Sequence, residues 1–140
     1  MTAYAPARVL LADDQHKVRS ALRLLIEQES AFCVVAEAQA AEDMMQQVIR
    51  CKPDILLLDW ELPGLPADGN KLSALRALAP HVHVIALSGK PEARHEAQRE
   101  GADGFVSKAE PPETLLKALY SVRDKAYDID RQPAQFDRAV

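Results

Sequence analysis

Cysteine is scarce in this chain of 140 residues: Cys33 and Cys51 are the only two. They stand far apart and outside any CxxC or metal-ligand spacing, so they read as free, buried or half-buried thiols. Long apolar runs are also missing. Nothing approaches the roughly 18 consecutive apolar residues of a membrane span. The opening "MTAYAPARVLLADD" has too short an apolar stretch for a signal peptide, and acids follow it at once. No membrane association is expected, and the expected location is cytoplasmic. An excess of basic charge is lacking too: the formal net charge is −4 and the pI about 5.5. That argues against a chain that wraps nucleic acid by charge, so direct nucleic-acid binding is not expected. There is no internal repeat and no low-complexity segment. The histidines at 16, 81, 83 and 95 are scattered. His81 and His83 alternate in a strand-like segment, but without neighbouring ligands they read as ordinary histidines.

What is present is ordinary for a globular domain, with 48% hydrophobic and 27% charged residues. The length suits one domain with a real core. Short β-rich runs alternate with helical patterns throughout. Strands are expected at 8–12, 32–38, 54–59, 82–88 and 104–107. Helices are expected at 16–29, 41–51, 70–79, 91–100 and 111–125, two of them opened by proline and one closed before Gly101. Five βα units imply an α/β fold, an open doubly wound parallel sheet with helices on both faces. Residues 1–7 read as an N-terminal tail, and 126–140, where the helical period fades, as a C-terminal tail or linker.

One stretch is at odds with simple burial. In "PDILLLDWELPG" (53–64) an unbroken apolar run, the mark of a strand buried on both faces, ends on a carboxylate at Asp59. Burying an ionised carboxylate costs several kcal/mol unless something pairs with it. Other strand ends carry chemistry as well. Asp13 and Asp14 follow strand one, Ser88 closes strand four and Lys108 follows strand five. In an open α/β sheet these carboxyl ends share one edge, where ligands bind. Singly, an acidic pair is often a helix cap and a serine a turn residue. Together they converge. Three carboxylates and one lysine leave about −2 on the pocket, and oxygen donors without Cys or His suit Mg²⁺ (or Mn²⁺). A carboxylate facing a metal, a lysine and a hydroxyl donor is equipped to attack phosphorus.

The stretches "VLLADDQHKVR", "PDILLLDWELPG", "ALSG" and "GADGFVSK" resemble the signatures of a response-regulator receiver domain of two-component signalling, over roughly 8–125. "ADDQHKVRSALRLLIE" and "GADGFVSKAEPPETLLKAL" are most similar to receivers of NarL-type (LuxR-like) transcription regulators. The resemblance implies a flavodoxin-like sheet of order 2-1-3-4-5. It implies a phosphoryl group accepted on Asp59 from a sensor histidine kinase or histidine phosphotransfer protein, and a conformational change in reply. Asp13, Asp14, Asp59 and the main-chain carbonyl of Glu61 would hold the metal. Lys108 and Ser88 would contact the phosphoryl group, Phe105 would be the switch aromatic, and Gly89 would leave access open. Such a chain is not an enzyme beyond its own phosphorylation and dephosphorylation. Departures are Trp60, bulkier than the usual aliphatic residue, Ala109 in place of a frequent proline, and the proline-rich "LPGLPADGN".

Two alternatives belong to other classes. A haloacid-dehalogenase-like hydrolase needs an acid two residues after its nucleophile; Glu61 qualifies, but the rest of that signature is missing. A non-phosphorylated receiver-like interaction domain is opposed by the complete set of acids, lysine and serine. Two further expectations concern surfaces. Leu116 and Tyr120 form a second i,i+4 pair that would serve a homodimer face. Glu61 and Lys90 would meet above the site and govern phosphoryl lifetime.

Overall fold

The computed structural model describes residues 5–139 apart from residue 68, and side chains as far as Ala126. Five parallel strands, β1 (Ala7–Ala12), β2 (Phe32–Ala38), β3 (Ile55–Asp59), β4 (His83–Ser88) and β5 (Gly104–Ser107), form one sheet of order β2-β1-β3-β4-β5. The helices are α1 (His16–Glu27), α2 (Ala41–Cys51), α3 (Ser73–Leu78), α4 (Ala93–Arg99) and α5 (Pro112–Ala139). This is the flavodoxin-like order expected.

The pleat explains why the strands are apolar without interruption. In β3, Leu56 and Leu58 face a core shared with α2, α3 and α4, through Met44, Val48, Leu75 and Ala97. Ile55 and Leu57 face a second core closed by α1 and α5, through Ile26, Leu115, Leu119 and Val122. Alternate residues thus enter opposite cores, so no position can be polar until the strand ends. Each buried leucine contributes about 1.5–3 kcal/mol. The terminal aspartate is thereby fixed at the sheet edge.

Three boundaries differ from expectation. Helix α3 starts three residues late. The backbone N–H groups of Lys71 and Leu72 donate to Glu100 Oε1 (2.7 and 3.1 Å) just ahead of the helix, capping its start. The preceding segment, with Pro63, Pro66 and Gly64, is not helical. Gly64 has φ +90°, and a Cβ there would stand 3.2 Å from that of Ala41, so glycine is required. Helix α4 begins at Ala93, after a turn in which Ala93 N–H bonds the Lys90 carbonyl. Helix α5 continues past Lys125 to Ala139, beyond the 111–125 expected. Of the expected N-terminal tail, residues 1–4 lie outside the described residues, and Ala7 already pairs in β1.

The presumed association pair is engaged within the chain. Tyr120 donates its hydroxyl to Glu29 (2.6 Å) and packs edge-on against Phe32, with centroids 5.0 Å apart. That bond, more than burial, raises the Tyr120 pKa. Leu116 packs against the second core. Both positions extend a broad apolar stripe under neighbouring elements.

Candidate functional site

Adjacent strands deliver their last residues to one edge. Asp13 follows β1, Asp59 closes β3, Ser88 closes β4, and Lys108 follows β5. Asp13, Asp59 and Ser88 are buried, at 1%, 3% and 0% exposure. Oxygens of Asp13, Asp14 and Asp59 lie within 4.8 Å of one another, so the three acids form one cluster, with Asp14 on its exposed side.

Local bonds set each side chain. Asp13 Oδ1 accepts the Gln15 N–H (2.9 Å), and its Oδ2 accepts from Lys108 Nζ (2.9 Å). Lys108 Nζ also stands 3.5 Å from Asp59 Oδ2. The Lys108 main chain is anchored by its N–H to the Ser88 carbonyl (2.9 Å), which ties the β5 end to the β4 end. Asp59 Oδ1 accepts the Glu61 N–H (3.0 Å). Burial pushes the Asp59 pKa up; the Glu61 N–H and Lys108 pull it back, and the charges of Asp13 and Glu61 push again, leaving it raised. Burial alone would lower the Lys108 pKa, but Asp13 and Asp59 more than compensate and it is raised. The acids are thus short of cations, with a single ammonium shared between two of them.

The expectation for Glu61 needs correcting. Its carboxylate does not meet the Lys90 side chain; both oxygens lie 2.9 Å from Ser88 Oγ. Lys90 reaches the same hydroxyl through its backbone N–H (3.0 Å). An exposed Glu–Lys pair contributes little, whereas the buried Ser88 hydroxyl gives the carboxylate a charge-assisted bond away from water. Gly89 lies between them, and a Cβ there would meet nothing within 4 Å. Phe105 is half-buried against the first core, with the Arg94 guanidinium 4.7 Å from its ring centroid. Arg94 is in turn 3.5 Å from Glu110.

Trp60 carries a contact that residue patterns do not reveal. The indole is 1% exposed and donates Nε1–H to Glu96 of α4 (2.6 Å). Its bulk is buried in the first core, with Lys71 Nζ 5.7 Å from the ring centroid, and the residue after Asp59 is tied to α4. The signal available in sequence was the departure itself.

The parallel sheet of this order, with acids, lysine and hydroxyl gathered at one edge, defines a receiver-type signalling module. The chain belongs to the response regulator receiver domain family, whose model matches residues 9–120. Within it, the resemblance is to the NarL/LuxR type. The chain is 34% identical over 125 residues to the nitrate/nitrite response regulator protein NarL of Escherichia coli K12, covering 86% of this chain and 56% of that protein. It is 33% identical to the response regulator UvrY of the same strain, covering 90% and 60%. A solved LuxR-family two-component response regulator from Aurantimonas sp. SI85-9A1 superposes with a TM-score of 0.78 at 28% identity, covering 96% of this chain and 99% of that one. The chain therefore spans a little over half the length of the two curated relatives.

Proposed function

We propose that this chain is a receiver that takes a phosphoryl group onto Asp59 from the phosphohistidine of a sensor histidine kinase or histidine phosphotransfer protein. An Asp59 carboxylate oxygen forms the new bond to phosphorus, the P–N bond breaks, and the imidazole nitrogen leaves with the electron pair. The observation that carries this reading is the imbalance at the sheet edge: three clustered carboxylates, two of them buried, facing one lysine. Such a set lacks positive charge and offers hard oxygen donors, which fits Mg²⁺ (or Mn²⁺). Asp13, Asp14, Asp59 and the main-chain carbonyl of Glu61 would hold the ion. When bound, it would neutralise the acids and draw charge from phosphoryl oxygens.

The remaining work falls to the chain's own groups. Lys108, already between Asp13 and Asp59, stabilises the phosphoryl oxygens. Ser88 donates its hydroxyl to them, and Phe105 follows that movement as the switch aromatic. Glu61 and Lys90 flank the acyl phosphate and set its lifetime by shaping water's approach. The receiver proper spans 8–125, and 126–140 serves as a tail or linker. It works in the cytoplasm, in transcription regulation, and pairs with a second copy. It catalyses nothing beyond its own phosphorylation and dephosphorylation. With net charge −4, it makes no direct contact with nucleic acid and none with membrane.

The test is incubation with acetyl phosphate. One base-labile phosphoryl group should appear with Mg²⁺ and fail to appear after chelation. A label indifferent to chelation would overturn the metal-dependent reading.

A further inference from the structure

Glu61 touches two parts of the site at once. Its main-chain N–H holds Asp59 Oδ1 (3.0 Å), while its carboxylate takes the Ser88 hydroxyl, with both oxygens at 2.9 Å. Ser88 is fully buried, so this hydroxyl has no alternative in bulk water. One of its two lone pairs is used as well, since Oγ accepts the Lys90 N–H (3.0 Å). A hydroxyl carries one proton, and that proton is committed to Glu61. In shape and charge, two equivalent anionic oxygens at hydrogen-bond distance from Ser88 Oγ offer what a phosphoryl group would offer.

We infer that Glu61 is a resident competitor for Ser88: its carboxylate occupies the switch hydroxyl in the unmodified protein and must be displaced before Ser88 can bond a phosphoryl oxygen. This rests on the reading of Asp59 as the acceptor. It makes Glu61 a positioning residue, acting through Ser88. It differs from a control of hydrolysis, because it sets how readily the unmodified protein switches. Hydrogen bonds to charged groups are the stronger ones, so releasing the Glu61 bond should favour the switched arrangement measurably. The effect should run through the bond and not through charge alone. Glutamine keeps an acceptor oxygen at the same reach, whereas alanine removes it.

The test uses amide resonances and beryllofluoride, with Mg²⁺, as the phosphoryl-like probe. The Lys90 amide reports directly, since it bonds Ser88 Oγ. In the free protein, Glu61→Ala should shift that resonance, and Glu61→Gln should shift it less. Apparent beryllofluoride affinity should rise about three- to tenfold in Glu61→Ala, about one net hydrogen bond's worth, and less in Glu61→Gln. In a Ser88→Ala background, Glu61→Ala should then have little effect. An unmoved Lys90 amide in free Glu61→Ala overturns the inference. So does an equal affinity gain in the Ser88→Ala background, or a glutamine variant that matches alanine, since either makes Glu61 a charge effect. If the parent fails to bind beryllofluoride, it is the acceptor reading that falls, and the Lys90 amide of the free variants still decides the contact.

Discussion

Two aspartates at opposite ends of the same sheet are driven in opposite directions. Asp103, just before β5 at the amino-end edge, receives the Val84 N–H (2.8 Å) and Arg76 (3.2 Å), and faces His83 Nδ1 at 3.7 Å. Burial pushes its pKa up, but the facing His83, the Val84 N–H and Arg76 outweigh that and hold it at about 2. Asp59, at the carboxyl-end edge, has one N–H and a shared lysine, with other acids around it, and its pKa is raised. Asp54 follows the amino-end pattern, accepting the Arg8 N–H (2.8 Å). Arg8 in turn bonds the carbonyls of Cys51 and Lys52. One edge pairs its charges and closes the fold. The other leaves its acids short of cations, with one lysine for three clustered carboxylates, and such an under-compensated cluster marks a place for chemistry.

The largest expected effect comes from deepening the contrast at the carboxyl-end edge. Asp14→Ala removes an exposed acid of the cluster and no hydrogen bond shown within the chain. Mg²⁺ affinity should fall by at least about tenfold, while metal-free stability stays within about 0.5 kcal/mol of the parent. Asp13→Ala should lose metal affinity similarly. It also strips Gln15 N–H and Lys108 of an acceptor, so relief of repulsion is offset and its melting point should not rise. Melts with and without Mg²⁺ decide this. A large metal-free loss in Asp14→Ala would make that acid a structural cap.

At the amino-end edge, Asp103→Ala should destabilise the protein by about 1 kcal/mol near neutral pH, the scale of a lost charged hydrogen-bond set on a partly exposed residue. The sign with pH follows from its depressed pKa. The folded state resists protonation, so the Asp103 contribution is full above the ordinary value of 3.8 and is lost as pH falls through about 2. Parent and variant should therefore converge in acid. Denaturant titrations at several pH values measure the gap, and a gap that persists near the bottom of that range would contradict the pairing.

The smallest effect is expected for Lys90→Ala. Its side chain does not touch Glu61, and its contribution to Ser88 is main-chain. The dephosphorylation rate should change less than in Glu61→Ala, measured as decay of the acyl phosphate. A change larger than in Glu61→Ala would make the Lys90 ammonium, and not Glu61, the main control on water's approach.

The fold was legible because its alternation is local. β3 is apolar at every position before Asp59, and helices of ordinary length separate the strands. The edge residues were legible because strand ends in a parallel sheet share an edge. What escaped the sequence are contacts between distant positions. Glu100 caps the backbone at Lys71 and Leu72 just ahead of α3, a bond spanning nearly thirty residues that no local propensity encodes. Glu61 was singled out, but its partner was not, because a flexible side chain's choice between Lys90 and Ser88 depends on burial. Trp60 stood out as too large for its place, yet Glu96 could not be found as its acceptor without α4 in position.

The central claim is that the aspartate with the raised pKa at the carboxyl-end edge, sharing one lysine with Asp13, and not the more fully paired Asp103, receives the phosphoryl group. The direct measurement is intact mass and peptide mapping after acetyl phosphate and Mg²⁺ on the parent, Asp59→Asn and Asp103→Asn. The account predicts a single base-labile phosphoryl group on the parent and Asp103→Asn, mapped to Asp59, and none on Asp59→Asn. A label that persists in Asp59→Asn, or disappears in folded Asp103→Asn, would contradict it.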